Sequence, residues 1–184
     1  MSPAAARSVE LRRCGSTNAV AAAWCRGGGG LPVCVSASTQ TGGRGQWGRA
    51  WLSPAGGCWF TLAVSGSVGD GEGLPLAAAA AVGRGIRAAT GLEPERVAPN
   101  DLLIGGAKVA GLLCERLALA GGTGGGGGAT LVGVGINANA VPAAGAALRR
   151  PAASLAAAAG KRIDLPRLRE ACVAELLSLR MPTP

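Results

Sequence analysis

Gly105-Gly106 sits between two apolar runs, Asp101-Leu-Leu-Ile104 and Ala107-Lys-Val-Ala-Gly-Leu-Leu-Cys114. Paired glycines reach the positive φ values of a two-residue hairpin turn, and so short a turn forces antiparallel pairing. The register predicted is Ile104 with Ala107 and Leu103 with Lys108. Because side chains alternate along a strand, Asp101 shares a face with Leu103, and Lys108 lies diagonally across from Asp101 on that face. From these residues alone the pair reads two ways. It is two charges within reach of one ligand, or an exposed lysine near a turn-capping aspartate.

Other segments fit around this hairpin. Leu31–Ala37, Cys58–Val64 and Ala129–Asn137 are rich in β-branched and apolar residues and read as strands. The last holds Gly133 and Gly135, and glycine inside a strand marks close approach by a ligand or another backbone. Residues 1–13 read as a short strand or tail. A helix opens at Ser16 or Thr17 and ends before Gly27. Pro75 starts a second helix over Leu76–Thr90, closed by Gly91. Two more are predicted over Ser154–Ala159 and Asp164–Arg180, the latter with Asp164 as N-cap and Pro166 in its first turn. Gly66–Gly73 reads as a turn, Gly121–Gly128 and 138–150 as loops, and Met181–Pro184 as a tail. No linker divides the chain, so a single domain is expected.

Composition removes several chemistries. There is no His, which excludes Ser-His-Asp and Cys-His catalysis. The six cysteines form no CxxC pair, which argues against zinc and for buried, reduced thiols in a cytoplasmic protein. Aromatic residues are only 3%, so Ala, Val and Leu must build the core. The net charge of +8 is spread so that no basic run exceeds two residues, which favours small anions or an acidic partner over DNA. The apolar run Ala77–Val82 is too short to span a membrane.

Thr41-Gly-Gly-Arg-Gly-Gln-Trp-Gly-Arg-Ala-Trp51 is the segment richest in chemistry. Its glycines expose backbone N–H groups to anions. Arg44 and Arg49 add forked donors that match carboxylate or phosphate. Trp47 and Trp51 offer flat faces to a ring.

Five segments then follow in order: Ser16-Thr17-Asn18, Gln40–Trp51, Pro99-Asn100-Asp101, Lys108-Val-Ala-Gly111 and Gly133-Val-Gly-Ile-Asn137. This set resembles the catalytic domain of biotin protein ligases, the biotin–[acetyl-CoA-carboxylase] ligases, from about residue 10 to 180. The resemblance implies an α/β fold of the α+β type, with a mixed, mostly antiparallel sheet and helices on one side, similar to class II aminoacyl-tRNA synthetases. It implies formation of biotinyl-5′-AMP from biotin and ATP, with Mg²⁺ accompanying the ATP and no protein side chains assigned to the metal. Biotin would then pass to a lysine of a biotin carboxyl carrier protein domain.

By the same resemblance, Lys108, Arg44 and Asp101 are the catalytic residues. Ser16, Thr17, Gln40, Gly43, Arg44, Lys108, Gly111 and Gly133 match biotin-binding positions. Arg44, Arg49, Trp51, Asn100 and Asn137 match the ATP and adenylate site. A homodimer is compatible with the resemblance; DNA and membrane partners are not expected. Neither an N-terminal DNA-binding domain nor a C-terminal β-barrel domain is expected in residues 1–184.

Departures from the family pattern are local. Val97 and Ala98 stand where the family usually has Lys-Trp, and Gln46 where an Arg is often found. The alternatives are a biotin-binding protein with little or no turnover, and a lipoate or octanoate ligase or transferase.

Overall fold

The computed structural model describes residues 6–66, 73–119, 128–141 and 150–179. The core of the Gly66–Gly73 turn, most of the Gly121–Gly128 loop, most of 138–150 and the 181–184 tail lie outside them. The elements run β1 (Arg7–Cys14), α1 (Thr17–Arg26), β2 (Val33–Gln40), β3 (Cys58–Ser65), α2 (Gly73–Thr90), β4 (Glu95–Val97), β5 (Asp101–Ile104), β6 (Ala107–Ala118), β7 (Gly128–Ile136), α3 (Leu155–Ala159) and α4 (Leu165–Leu177).

The strands form one seven-stranded sheet in the order β1-β2-β3-β7-β6-β5-β4. β1 and β2 are parallel, joined over one face by α1; every other pair is antiparallel. Gly105 and Gly106 turn the β5–β6 hairpin with φ of 57° and 77°, the left-handed values that only glycine adopts without strain. The register is the one the turn dictates, Ile104 opposite Ala107 and Leu103 opposite Lys108. Beyond it the register shifts by one, so that Leu102 faces Ala110 and Asp101 faces Gly111. This bulge brings Gly111 onto the face of Lys108, which an unbroken strand would put on the other side.

Strand alternation divides the core in two. Cys34, Cys58, Phe60, Leu62, Val132, Val134 and Ile136 point to one face and pack on α2, α3 and α4. Val33, Val35, Ala63, Ala129 and Leu131 point to the other and pack on Ala21 and Cys25 of α1. The expected placement of helices on one side is therefore corrected: α2 and α4 share a face, and α1 lies opposite. The crossover between parallel β1 and β2 carries α1 over the face that the later helices leave open.

On the helical face, α2 buries Ala78, Ala81, Val82, Gly85 and Ile86, an i, i+3, i+4, i+7, i+8 stripe. α4 answers with Leu168, Cys172 and Leu176. The helices touch backbone to backbone, since a Cβ on Gly85 would stand 2.6 Å from Cys172 Cα. Each fully buried Val, Leu or Ile there contributes about 1.5–3 kcal/mol. α4 starts where the sequence indicates, its first turn closed by Arg167 N–H donating to Asp164 Oδ1 at 3.0 Å.

Strand ends extend beyond the runs of apolar residues. β2 continues to Gln40 because it pairs with β1 as far as Cys14, and β6 reaches Ala118 because β7 pairs with it from Ala110 to that residue. Ladder hydrogen bonds, which composition does not report, set these limits. No described helix is long and apolar enough to cross a membrane.

Candidate functional site

The face that carries α1 is left partly bare. Gly133 and Gly135 on β7 and Gly111 on β6 point toward it and have no side chains to cover it. Above this floor lies a cavity of about 990 Å³, lined by residues from α1, the 41–52 segment, the 98–101 turn, β6, β7 and 150–152. Arg44, Arg49, Lys108 and Arg150 line it against the one acid Asp101, so among the described lining residues the charge is positive. A cavity of this kind concentrates anions.

At one end stands the Lys108–Asp101 pair. Nζ and Oδ1 are 2.6 Å apart, with side chains 24% and 18% exposed. The ammonium also lies 5.1 Å from the centroid of the Trp51 ring. The segment 151–153 fixes the backbone here: Lys108 N–H donates to Pro151 O at 2.8 Å, and Lys108 O accepts from Ala153 N–H at 3.1 Å. Asn137 donates through Nδ2 to Lys108 O at 3.3 Å, while its buried Oδ1 has no partner. An unpaired buried acceptor beside a charged pair suits a ligand donor or a bridging water.

At the other end, α1 begins without a cap from its own Ser16 side chain. The Thr17 N–H instead donates to Gln40 Oε1 at 2.8 Å, with Thr17 Oγ1 3.2 Å from the same oxygen. Gln40 Nε2 donates onward to Ser53 Oγ at 2.8 Å, and Ser53 Oγ to Trp51 O at 3.1 Å. Gln40 thus ties the exit of the Gly/Arg segment to the start of α1. Thr61 Oγ1 donates to Asn18 Oδ1 at 2.5 Å and stands 2.8 Å from Thr17 Oγ1. Asn18 Nδ2 donates to Glu115 Oε2 at 2.6 Å, and Glu115 Oε1 lies 3.7 Å from Arg44 Nη2. The Ser16 hydroxyl remains for the cavity that it lines.

The Gly/Arg segment arches over the floor. Gly45 N–H donates to Arg49 O at 2.7 Å and Trp51 N–H to Gly43 O at 2.9 Å, which closes the arch on itself. Gly43 has no room for a side chain: a Cβ would lie 2.4 Å from Trp51 O. Trp47 at its tip is 75% exposed, with Arg49 Cζ 4.8 Å from its ring centroid. Trp51 turns inward and lies on the glycine floor, edge-on to Trp59 with centroids 6.4 Å apart. A Cβ on Gly135 would meet Trp51 Nε1 at 2.4 Å.

Of the residues expected at the site, all but Gly43 line this cavity, and their present contacts differ in kind. Lys108, Asp101, Arg44, Arg49, Trp51, Ser16, Thr17, Gln40, Asn100, Gly111, Gly133 and Asn137 line it. Asn100 is committed to the fold, its Nδ2 donating to Leu112 O at 2.5 Å across the β5–β6 pair. Gly133 meets a side chain of the same protein, for its Cβ would stand 2.2 Å from Asn18 Oδ1. Sequence reasoning missed Asn18 as a site residue, together with Thr61, Ser53, Glu115 and Arg150. Glu115 carried a usable signal, since two-residue alternation from Gly111 puts it on the cavity face. Arg150 carried none.

The profile of the biotin/lipoate A/B protein ligase family matches residues 32–137, more than half of the chain. The chain belongs to this family. The bifunctional ligase/repressor BirA of Bacillus spizizenii is 41% identical over 87 residues, a stretch covering 46% of this chain and 27% of that protein. The chain thus matches about a quarter of that curated relative. Two solved structures share the fold of this chain. The biotin protein ligase of Aquifex aeolicus, in complex with biotin and ATP, superposes with a TM-score of 0.77 at 24% identity, over 92% of this chain and 68% of that one. The Leishmania major biotin protein ligase, in complex with biotinyl-5-AMP, gives 0.79 at 23% identity, over 96% and 75%. The sheet and its helices are therefore those of a biotin/lipoate ligase catalytic domain, as the five segments imply.

Proposed function

We propose that this ligase activates biotin with ATP, accompanied by Mg²⁺, as biotinyl-5′-AMP and passes biotin to a lysine of a biotin carboxyl carrier protein domain. The observation that carries the reading is the glycine-floored cavity, polar at the Ser16–Asn18 end and cationic at Lys108. One end suits a ring with hydrogen-bonding groups; the other suits a carboxylate that becomes a phosphate ester. The related ligases solved with biotin and ATP, and with biotinyl-5-AMP, support biotin and ATP as its ligands.

In the first step the biotin carboxylate attacks the α-phosphorus of ATP and pyrophosphate leaves. Lys108 stabilises the negative charge that builds on the carboxylate and phosphate oxygens. Arg44 and Arg49 act on the phosphates, and Trp51 borders the base. In the second step the carrier lysine attacks the acyl carbon, AMP leaves, and Asp101 accepts the lysine proton. Ser16 meets the ring of biotin, which passes along the backbone of Gly111 and Gly133 beside the Asn18 side chain. Thr17 and Gln40 hold that end in shape through their mutual hydrogen bonds. Asn137 turns its unpaired Oδ1 toward the nucleotide.

Incubation with ATP, Mg²⁺, biotin and an apo carrier domain, followed by mass spectrometry of the carrier, tests the reading. Biotin on one lysine is expected. Modification by lipoate or octanoate in place of biotin would transfer the assignment to the other branch of the family. Biotin binding without pyrophosphate exchange would leave a binding protein.

A further inference from the structure

Arg44 and Lys108 face opposite ends of the cavity. Lys108 is paired with Asp101 at 2.6 Å, whereas Arg44 Nη2 stands 3.7 Å from Glu115 Oε1. Lys108 and Glu115 are seven positions apart on β6, about 20 Å at the usual rise of a strand. Glu115 is itself held from behind. Its other oxygen accepts from Asn18 Nδ2 at 2.6 Å, and Asn18 Oδ1 accepts from Thr61 at 2.5 Å. Asn18 and Thr61 are buried, so this part of the chain of contacts is rigid. The Gly/Arg arch is tied mainly to itself between Gly43 and Trp51. A fixed carboxylate therefore faces the one guanidinium that the arch extends toward the α1 end.

We infer that Glu115 is a positioning residue that holds Arg44, and with it the Gly/Arg arch, at the Asn18 end of the cavity while no anion is bound. A phosphate-bearing ligand must draw the guanidinium away from that carboxylate. The holding contact stands on the geometry alone; the competition with phosphate rests on the ligase reading. Both side chains are partly exposed, at 52% and 36%, so solvent screens the pair and the effect is modest. Apparent affinity is scaled by the fraction of molecules whose Arg44 is free, a reduction of about two- to fivefold.

Glu115→Gln separates charge from structure, because its amide oxygen still accepts from Asn18. Trypsin reports the arch at the Arg49–Ala50 bond. In ligand-free protein, Glu115→Gln is expected to cleave there about two- to fivefold faster, with cleavage after Arg26 and Arg87 unchanged. Arg44→Gln should do the same, and the double variant should do no more than either single. Glu115→Asp, which keeps the charge on a shorter arm, should fall between. An unchanged rate at Arg49, additive singles, or faster cleavage at all sites together would overturn the holding contact. Calorimetry with inorganic pyrophosphate tests the competition, and Glu115→Gln should bind it about two- to fivefold more tightly. Equal binding in the two proteins overturns the competition. No pyrophosphate uptake by the wild type counts against the ligase reading and leaves the holding contact to the proteolysis result.

Discussion

Gly133→Ala probes whether the glycine floor is needed for room or only for a ligand. The new methyl would sit 2.2 Å from Asn18 Oδ1 and 3.0 Å from both Cγ and Nδ2. Asn18 cannot simply rotate away, for Thr61 holds one end of its carboxamide and Glu115 the other. β7 cannot easily recede, being paired with β3 and β6 along its length. Overpacking of this sort costs about 1–3 kcal/mol. Displacing Asn18 instead forfeits one neutral hydrogen bond and one to a charged group, together about 2–4 kcal/mol. The cheaper route wins, so the expected loss is about 1–3 kcal/mol. For a chain of this size that lowers Tm by roughly 2–12 °C. Thermal melts followed by circular dichroism give the measurement. In an Asn18→Ala background the obstacle is gone, and the same substitution should cost less by at least about 1 kcal/mol. A Gly133→Ala protein melting within about 2 °C of the parent, or an equal cost in both backgrounds, would refute the steric argument.

Two further outcomes are expected. Lys108→Arg should lose most adenylate formation although the charge is kept. Its Nζ already lies 3.2 Å from where a Cβ on Gly111 would stand, and a planar guanidinium cannot occupy that gap. Lys108→Ala should lose a comparable amount, about a hundred- to thousandfold in single-turnover rate; near-normal turnover in the arginine variant would remove the assigned role. Stability should fall on the alkaline side. Burial pushes Cys34 up to about 11 and Cys58 and Cys114 up to about 12, from an ordinary value of 9.0. The unfolded chain therefore loses these protons first, and stability present below the ordinary value is lost progressively as pH rises through 9 toward 11–12. Urea midpoints should drop between about pH 8 and pH 10.5, and a flat profile would show the thiols to be accessible.

What the sequence determined by itself was local or ordered along the chain. Two adjacent glycines fixed the β5–β6 turn, and the turn fixed its register, so the nearness of Lys108 and Asp101 was readable from the residues alone. Asp164 and Pro166 fixed the start of α4 for the same kind of reason, a short-range hydrogen bond and a preset φ. The order of the five segments identified the family, because each must supply one part of a shared site. Tertiary structure decided the rest. Gly133 looked like a place for a ligand, and the strand pattern could not tell that Asn18 from a helix more than a hundred residues away already fills the space beside it. Gln40 and Asn100 read as ligand contacts, yet long-range pairing commits their amides to Thr17, Ser53 and Leu112. The bulge that turns Gly111 to the side of Lys108, the placement of α1 opposite α2 and α4, and the pairing of Arg44 with Glu115 all depend on which strands become neighbours. That choice is made by the burial of two separate cores against one sheet, and no single segment carries it.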